Sequence, residues 1–133
     1  MKVGIIGSGG REHALCYALN KSNKIDEIFC FPGNAGTSNI AKNIDIDLGN
    51  FDKIRDFIKN KKIDLIVVGP EKPLVEGIVD FLERSKVKIF GPNKIASQLE
   101  GSKIFTKQIC QKFNIPTAKF GIFQSENNAN KFL

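Results

Sequence analysis

The chain has 133 residues, of which 41% are apolar and 26% are charged, and its formal net charge is +6. This length suits one domain, or one domain followed by the beginning of another, and the apolar content is ample for a packed core. No apolar run approaches the roughly twenty residues that cross a membrane, and the first residues do not resemble an export signal. We therefore expect a soluble, cytoplasmic protein.

The charge pattern and the cysteines narrow the class further. The basic residues are mostly lysines mixed with acidic residues, and aromatic residues do not alternate with them, so a nucleic-acid groove is not expected. The three cysteines are Cys16, Cys30 and Cys110. Because they are odd in number and widely spaced, the sequence favours buried thiols in a reducing compartment over disulfides or a zinc site.

The first eighteen residues predict a strand, a glycine turn and a helix. An apolar, β-prone run over residues 3–6 stops at Gly7, and residues 11–19 have helical spacing. Gly7, Gly9 and Gly10 lack the Cβ atoms that would keep a ligand away from the backbone, and the helix start presents N–H groups and a positive dipole end. The corner is expected to bind phosphate, with a purely structural turn as the alternative.

A dinucleotide cofactor is disfavoured at two independent positions. The fingerprint G-x-G-x-x-G would place its third glycine at position 12, where this chain has Glu12. The fingerprint also needs an acidic residue at the end of the second strand, and residues 29–33 read F-C-F-P-G instead. A nicotinamide-dependent oxidoreductase therefore stays only as a rival interpretation.

The middle of the chain predicts alternating strands and helices. Strands are expected at 25–31, 40–48, 63–68 and 87–90, and helices at 51–60, capped by Asn50, and from Leu74 to about Arg84. The segment 63–68 is almost uniformly apolar, which is typical of a central strand in a parallel sheet. Strands and helices that alternate with short links predict an α/β fold, a doubly wound parallel sheet of Rossmann type with right-handed crossovers.

A change of pattern marks a boundary near Pro92. Residues 93–113 are helical in spacing, with Gly101 expected to separate two helices. A strand is expected at 118–123, followed by a helix that Ser125 caps. We assign residues 1–100 to the first domain and 101–133 to the start of a second one, which we expect to be truncated because its last helix has barely begun.

Three polar or glycine-rich loops lie at the carboxyl ends of expected strands, where open parallel sheets bind ligands. They are residues 7–13, 32–37 and 69–74. His13 lies beside the phosphate turn, Asn34 offers an amide near it, and Glu71 places a carboxylate where it could hold sugar hydroxyls. From spacing alone, a helix-face histidine and an exposed loop acid are equal alternatives for His13 and Glu71.

Five stretches together resemble the N-terminal part of the phosphoribosylamine–glycine ligase (glycinamide ribonucleotide synthetase) family. They are G-S-G-G-R-E-H-A-L at 7–15, P-G-N-A-G-T at 32–37, V-G-P-E-K-P-L at 68–74, F-G-P-N-K-I-A-S-Q-L-E-G-S-K at 90–103 and I-P-T-A at 115–118. The resemblance implies a Rossmann-like domain followed by the first elements of an ATP-grasp fold. It also implies a step of purine synthesis: ATP converts the glycine carboxylate to an acyl phosphate, which the amine of 5-phosphoribosylamine attacks, with Mg²⁺ or Mn²⁺ assisting.

The same resemblance implies roles for individual residues. The substrate-binding set would be Gly7, Ser8, Gly9, Gly10, Arg11, Glu12, His13, Asn34 and Glu71. Lys103 resembles the ATP-grasp lysine that reaches a nucleotide phosphate, although without the family it would be interpreted as a solvated helix lysine. The catalytic residues are unknown, and the glycine site and metal ligands are expected beyond residue 133.

The resemblance also leads to expectations about the isolated chain. A monomer is expected for the full-length family member, and we expect this chain alone not to catalyse the ligation. A non-catalytic partner module of a split ATP-grasp enzyme is the second alternative. That alternative predicts an apolar patch at Phe120, Ile122, Phe132 and Leu133.

Overall fold

The computed structural model describes residues 1–132, so the expected contribution of Leu133 to an apolar patch lies outside the described residues. The chain divides into two compact units, one formed by residues 1–97 and the other beginning at residue 98. The strands are β1 (Lys2–Gly7), β2 (Glu27–Pro32), β3 (Lys42–Asn43), β4 (Leu65–Val68) and β5 (Lys88–Phe90). The helices are α1 (Gly10–Asn20), α2 (Phe51–Lys61), α3 (Glu71–Glu76), α4 (Ile78–Glu83), α5 (Lys94–Gly101), α6 (Lys103–Lys112) and α7 (Glu126–Asn130), with a short 3₁₀ turn at Thr37–Asn39.

The first unit is built on a five-stranded parallel sheet with the order β3-β2-β1-β4-β5. In the register of the sheet, Ile5 of β1 lies opposite Cys30 of β2 on one side and Val67 of β4 on the other. The chain therefore places β2 and β3 on one side of β1 and then crosses back to place β4 and β5 on its other side. This reversal leaves a crevice between the carboxyl ends of β1 and β4, and the α/β parallel-sheet prediction is confirmed.

Both faces of the sheet bury apolar side chains. On one face, helices α2, α3 and α4 pack against a cluster that includes Phe31, Ile54, Ile66, Ile78 and Leu82. On the other face, Cys16 of α1 packs against a second cluster whose strand residues are Val3, Ile5, Ile28 and Cys30. The strand over 63–68 is apolar because its side chains contribute to both clusters, as expected for a central parallel strand.

Two expected elements of the first unit are wrong in part. The strand expected at 40–48 is only Lys42–Asn43, and residues 44–50 run as a loop. The apolar residues of that loop, Ile44, Ile46 and Leu48, are partly buried against the core. Apolar and polar residues therefore alternate in this loop as they do in a half-buried strand, although the loop does not pair with a strand. The helix expected to run to Arg84 is divided at Gly77, whose φ of 99° lies in the left-handed region.

The second unit contains capped helices and irregular chain. The hydroxyl of Ser102 accepts from the N–H of Phe105 at the start of α6, and Ser125 accepts from Asn128 at the start of α7. The strand expected at 118–123 is wrong, because this segment forms no ladder and its N–H groups find no neighbouring strand among the described residues. Instead, Nζ of Lys107 donates to Oγ1 of Thr117 at 2.6 Å and to the carbonyl of Ala118 at 3.2 Å.

Within residues 1–132, none of the helices combines the length and the apolar character needed to cross a bilayer.

Candidate functional site

A cleft of about 540 Å³ opens at the carboxyl ends of β1 and β4, where the order of the strands reverses. Three loops contribute to it: the glycine loop after β1, the loop that precedes α2, and the start of α3. Its lining consists of Gly7, Ser8, Gly9, Arg11, Glu12, Asp47, Leu48, Gly49, Pro70, Lys72, Pro73 and Glu76. Two of the three loops singled out from the sequence therefore meet at one cleft.

The glycine loop has the geometry expected of a phosphate-binding turn. Gly7 ends β1 with a φ of 129°, a conformation that favours glycine, and α1 begins at Gly10. A Cβ atom on Gly10 would have no heavy atom within 4 Å, so the helix start is open to a ligand. The first N–H groups of a helix have no acceptor in a preceding turn, and they lie at the positive end of the helix dipole. The loop can therefore accept an anion.

The carboxylate of Glu12 does not face solvent but is buried beneath this loop. Glu12 has only 3% of its surface exposed, and its Oε2 accepts from the N–H of Gly9 at 2.6 Å. This bond is the helix-to-backbone half of a capping box, with Gly9 as the N-cap. The other oxygen, Oε1, is buried without a hydrogen-bond partner among the described residues, and Nε of Arg11 lies 3.7 Å from it. Sequence spacing gave no sign that this side chain turns inward.

Asn34 joins the loop after β2 to the glycine loop. Its Nδ2 donates to the carbonyls of Ser8 at 2.8 Å and of Gly9 at 3.2 Å. Its Oδ1 accepts from the N–H groups of Gly36 and Thr37 at 2.8 and 2.9 Å. The amide therefore holds both loops in one arrangement, a structural role that it combines with a position beside the candidate phosphate site.

His13 lies against the same loop. A Cβ atom on Gly36 would be 2.6 Å from Cε1 and 2.7 Å from Nδ1 of the His13 ring. Real Cβ contacts are not this short, so glycine at position 36 makes room for the imidazole. The structure thus brings His13 and Asn34 together with the glycine loop, in agreement with their grouping from the sequence.

Glu71 is exposed and is the first residue of α3, next to Pro70 in the cleft wall. It does not line the cleft itself, whereas its neighbour Lys72 does, and Nζ of Lys72 lies 4.0 Å from Oε1 of Glu76. The α3 side of the cleft therefore carries charges of both signs.

The loop at Asp47–Leu48–Gly49 forms a wall of the cleft that the sequence analysis missed. Asp47 and Leu48 had been assigned to a strand, but the N–H of Gly49 donates to Oδ1 of Asp47 at 2.9 Å, which makes a tight turn. An Asp followed two positions later by Gly and then Asn was an available turn signal. The wall adds the carboxylate of Asp47 to the lining of the cleft.

Two buried thiols, those of Cys16 and Cys30, lie behind the glycine loop and are expected to be unreactive. Sγ of Cys30 donates to the carbonyl of Gly7 at 3.5 Å. Burial raises the pKa of Cys30 to about 12 and also raises the pKa of Cys16. Because the thiolate is the reactive form, neither cysteine is suited to act as a nucleophile.

Lys103 belongs to the second unit. It is exposed and is the first residue of α6, directly after the capping Ser102. Its expected ATP contact stays a prediction.

Comparison with known proteins gives a consistent result. Residues 1–100 match the family model described as "Phosphoribosylglycinamide synthetase, N domain". A phosphoribosylamine–glycine ligase of Caldanaerobacter subterraneus is 49% identical over 133 residues, which is 100% of this chain and 32% of that protein. The ligase of Brucella melitensis is 45% identical over the same 133 residues and 31% of its own length. The chain thus spans about a third of the length of the curated relatives that it matches.

Solved structures agree. The crystal structure of phosphoribosylamine–glycine ligase from Thermotoga maritima superposes with a TM-score of 0.71 at 31% identity, covering 99% of this chain and 30% of that one. An N5-carboxyaminoimidazole ribonucleotide synthetase from the same organism has a TM-score of 0.75 at 19% identity, covers 98% of this chain and 36% of that one, and shows a shared fold alone. From its match to the family model, the chain belongs to the family of phosphoribosylglycinamide synthetase N domains.

Proposed function

We propose that this chain is the N-terminal portion of a phosphoribosylamine–glycine ligase and that its cleft binds the 5-phosphoribosyl group of phosphoribosylamine. The observation that carries the proposal is the open helix start at Gly10 beside the crevice between β1 and β4. A terminal phosphate carries two negative charges, which the N–H groups and dipole of α1 stabilise, and Arg11 adds a charged donor at the rim.

The remaining candidate residues have distinct parts in this proposal. Asn34 keeps the glycine loop in its binding conformation through its bonds to Ser8 and Gly9. Glu71, exposed at the start of α3 between the lining residues Pro70 and Lys72, would reach the ribose hydroxyls from the edge of the cleft and accept hydrogen bonds from them. His13, packed on Gly36, fixes the far side of the loop. This chain's part in the reaction is to hold and orient the amine substrate, which converts a bimolecular attack into a local one.

The complete reaction would join glycine to 5-phosphoribosylamine with ATP converted to ADP and phosphate, giving glycinamide ribonucleotide. Lys103 would contact a phosphate of ATP, as the family's G-S-K motif implies. No group of three His, Cys, Asp or Glu side chains within residues 1–132 could hold a metal ion, so the described residues do not fit a Mg²⁺ site. We expect the isolated chain to be inactive.

A monomeric state of the full-length family member and a cytoplasmic location are also part of the proposal. Cys16 and Cys30 are unpaired thiols buried in the core, which suits a reducing compartment.

The test of the phosphate site is a titration of the chain with ribose 5-phosphate, followed through its backbone amide NMR signals. We expect the largest shifts at Ser8 to Arg11, and an Arg11→Gln variant should bind about tenfold more weakly. Arg84→Gln removes an exposed arginine at the end of α4 and is the matched control. Absence of shifts in the glycine loop, or shifts confined to another surface, would refute the proposal.

A second titration tests Glu71. Glu71→Gln should weaken ribose 5-phosphate by about tenfold but should change the affinity for 2-deoxyribose 5-phosphate less, because one hydroxyl partner is missing. Glu83→Gln, at the exposed end of α4, is the control.

Sustained glycinamide ribonucleotide formation by the chain alone, with ATP, glycine and phosphoribosylamine, would contradict the expected inactivity.

A further inference from the structure

The carboxylate of Glu12 occupies the crevice that the reversal of strand order creates. Three glycines surround it: a Cβ atom on Gly7 would be 2.7 Å from Cδ, one on Gly9 would be 2.9 Å from Oε2, and one on Gly69 would be 2.7 Å from Cδ. On Gly69 the atom would also overlap Oε1. No side chain other than hydrogen fits at position 69 while Glu12 keeps this conformation.

This arrangement reverses the packing of a dinucleotide-binding corner. In the dinucleotide fingerprint the third glycine lies on the helix, at the position of Glu12, and allows the helix to pack closely on the strand. Here the helix carries the bulky residue, and the space is provided by Gly69, which directly follows β4. The chain therefore combines a glycine loop with a carboxylate that fills the volume beneath the loop.

The carboxylate also removes a donor from the ligand. In the fingerprint the second glycine lets the backbone approach the pyrophosphate. In this chain the N–H of that glycine, Gly9, already donates to Oε2 of Glu12 at 2.6 Å. A second phosphoryl group at Gly9 would lose this donor and would lie against a negative charge. The start of α1, at Gly10 and Arg11, is left for one phosphoryl group.

A purely structural helix cap does not account for these facts. Capping needs one oxygen, and Oε2 supplies it. Oε1 is buried without a hydrogen-bond partner among the described residues and has only the more distant Nε of Arg11, at 3.7 Å, which leaves a cost for a carboxylate. The cap therefore does not account for Oε1, and besides capping the helix the side chain fills the corner beneath the glycine loop.

We propose that Glu12 is the specificity-determining residue of the cleft. Because its side chain fills the corner and its carboxylate accepts from the N–H of Gly9, the cleft admits ribose 5-phosphate but excludes a ribose whose 5-phosphate is joined to a second phosphate, as in a dinucleotide. The identity of the admitted ligand rests on the function proposed above, whereas the exclusion rests on the geometry of Glu12 alone.

The experiment compares ribose 5-phosphate with ADP-ribose, which contains the same ribose 5-phosphoryl unit joined to a second phosphate. Both are titrated into the wild-type chain, Glu12→Gly, Glu12→Ala and Glu12→Gln, with amide NMR spectra confirming that each variant folds. Gln keeps the volume and an oxygen acceptor for Gly9 but removes the charge, so it is the matched control.

We expect ADP-ribose to bind the wild-type chain and Glu12→Gln poorly and to bind Glu12→Gly about tenfold more tightly, through the freed N–H and the opened corner. Glu12→Ala should show the same direction of change and gives the result if the glycine variant does not fold. Unchanged ADP-ribose affinity in the folded variants would overturn the proposal, as would tight binding of ADP-ribose by the wild-type chain.

The two proposals fail in different ways. If ribose 5-phosphate does not shift the glycine-loop amides of the wild-type chain, the phosphoribosyl function is refuted. A gain of ADP-ribose binding on removing Glu12 would still support its role in exclusion, and the absence of that gain would still refute it.

Discussion

The side-chain amide of Asn34 donates to the carbonyl of Ser8 at 2.8 Å and so joins the loop after β2 to the glycine loop after β1. The two residues are far apart in sequence, and Asn34 is half-buried whereas Ser8 is exposed. The conformation of the glycine loop therefore depends on this polar clamp as well as on the buried carboxylate of Glu12, which accepts from the N–H of Gly9.

Replacing Asn34 by Ala tests this clamp. The substitution removes donors to Ser8 and Gly9 and an acceptor for Gly36 and Thr37. We expect a loss of about 2 kcal/mol in the free energy of unfolding, since each partly exposed bond contributes about 0.5–1.5 kcal/mol and some are replaced by water. Urea unfolding measures the change.

Asn23→Ala, at an exposed turn, is the control and should change stability by less than about 0.5 kcal/mol. Equal stability of the two variants would show that the clamp contributes nothing to the fold. A stable Asn34→Ala chain with unaltered ribose 5-phosphate affinity would show that the clamp does not shape the site either.

The packing of Glu12 against Gly69 predicts a strong energetic coupling between these residues. Gly69→Ala should destabilise the chain by about 1–3 kcal/mol, because the new methyl group would overlap the buried carboxylate. In a Glu12→Gly background the same substitution should cost much less, since the carboxylate is gone. The double-mutant cycle, measured by urea unfolding, gives the coupling free energy.

Gly10→Ala is the control for the loop glycines. A Cβ atom there meets no heavy atom within 4 Å, and alanine is the better helix former, so stability should stay the same or rise by up to about 1 kcal/mol. In the double-mutant cycle, additive costs for Gly69→Ala and Glu12→Gly would contradict the packing of the Glu12 carboxylate against Gly69.

The parts of the fold that sequence predicted well are those in which local pattern and burial agree. The segment 63–68 is apolar because both faces of its strand are covered, so its assignment did not depend on distant residues. Asn50 was a correct N-cap prediction for α2 because a cap depends on the next three residues alone, and its side chain accepts from the N–H of Lys53.

The features that sequence missed depend on contacts between distant segments. The inward turn of Glu12 requires glycine at position 69, after another strand, and neither residue reveals this alone. Residues 44–48 were assigned to a strand because their apolar side chains alternate, although the burial of these side chains comes from packing on the core. That error concealed one wall of the cleft, whereas two of the three loops singled out from the sequence, 7–13 and 69–74, do line it.

Gly77 divides α3 from α4, and its backbone predicts a cost for any other residue. Its φ of 99° is unfavourable for residues with a Cβ atom, and such an atom would lie 3.2 Å from Cδ of Lys94. We expect Gly77→Ala to lower the free energy of unfolding by about 1–2 kcal/mol. Gly101→Ala, at a helical position in α5, is the control and should be neutral or stabilising. Thermal or urea unfolding that ranks the two variants equally would contradict the helix break.

The buried thiols predict how stability changes with pH. The folded-state pKa of Cys30 is raised to about 12 and that of Cys16 is also raised, in each case mainly because burial disfavours the thiolate. In the unfolded chain the thiols ionise near pH 9, the ordinary value. Between pH 9 and 12 the unfolded state therefore binds fewer protons than the folded state, and stability falls as pH rises.

Urea unfolding at pH 8, 9 and 10 should show a free energy of unfolding that is highest at pH 8 and declines above pH 9. Cys30→Ala removes the more strongly shifted thiol, so the decline of its free energy of unfolding should be shallower, although the variant also loses buried sulfur and starts from a lower stability.

In the folded wild-type chain at pH 8, iodoacetamide should modify the half-buried Cys110 well before Cys16 and Cys30, because the buried thiols are both inaccessible and protonated. Rapid modification of Cys30 under folding conditions, or a decline of equal slope in Cys30→Ala, would show that its burial does not control the pH dependence.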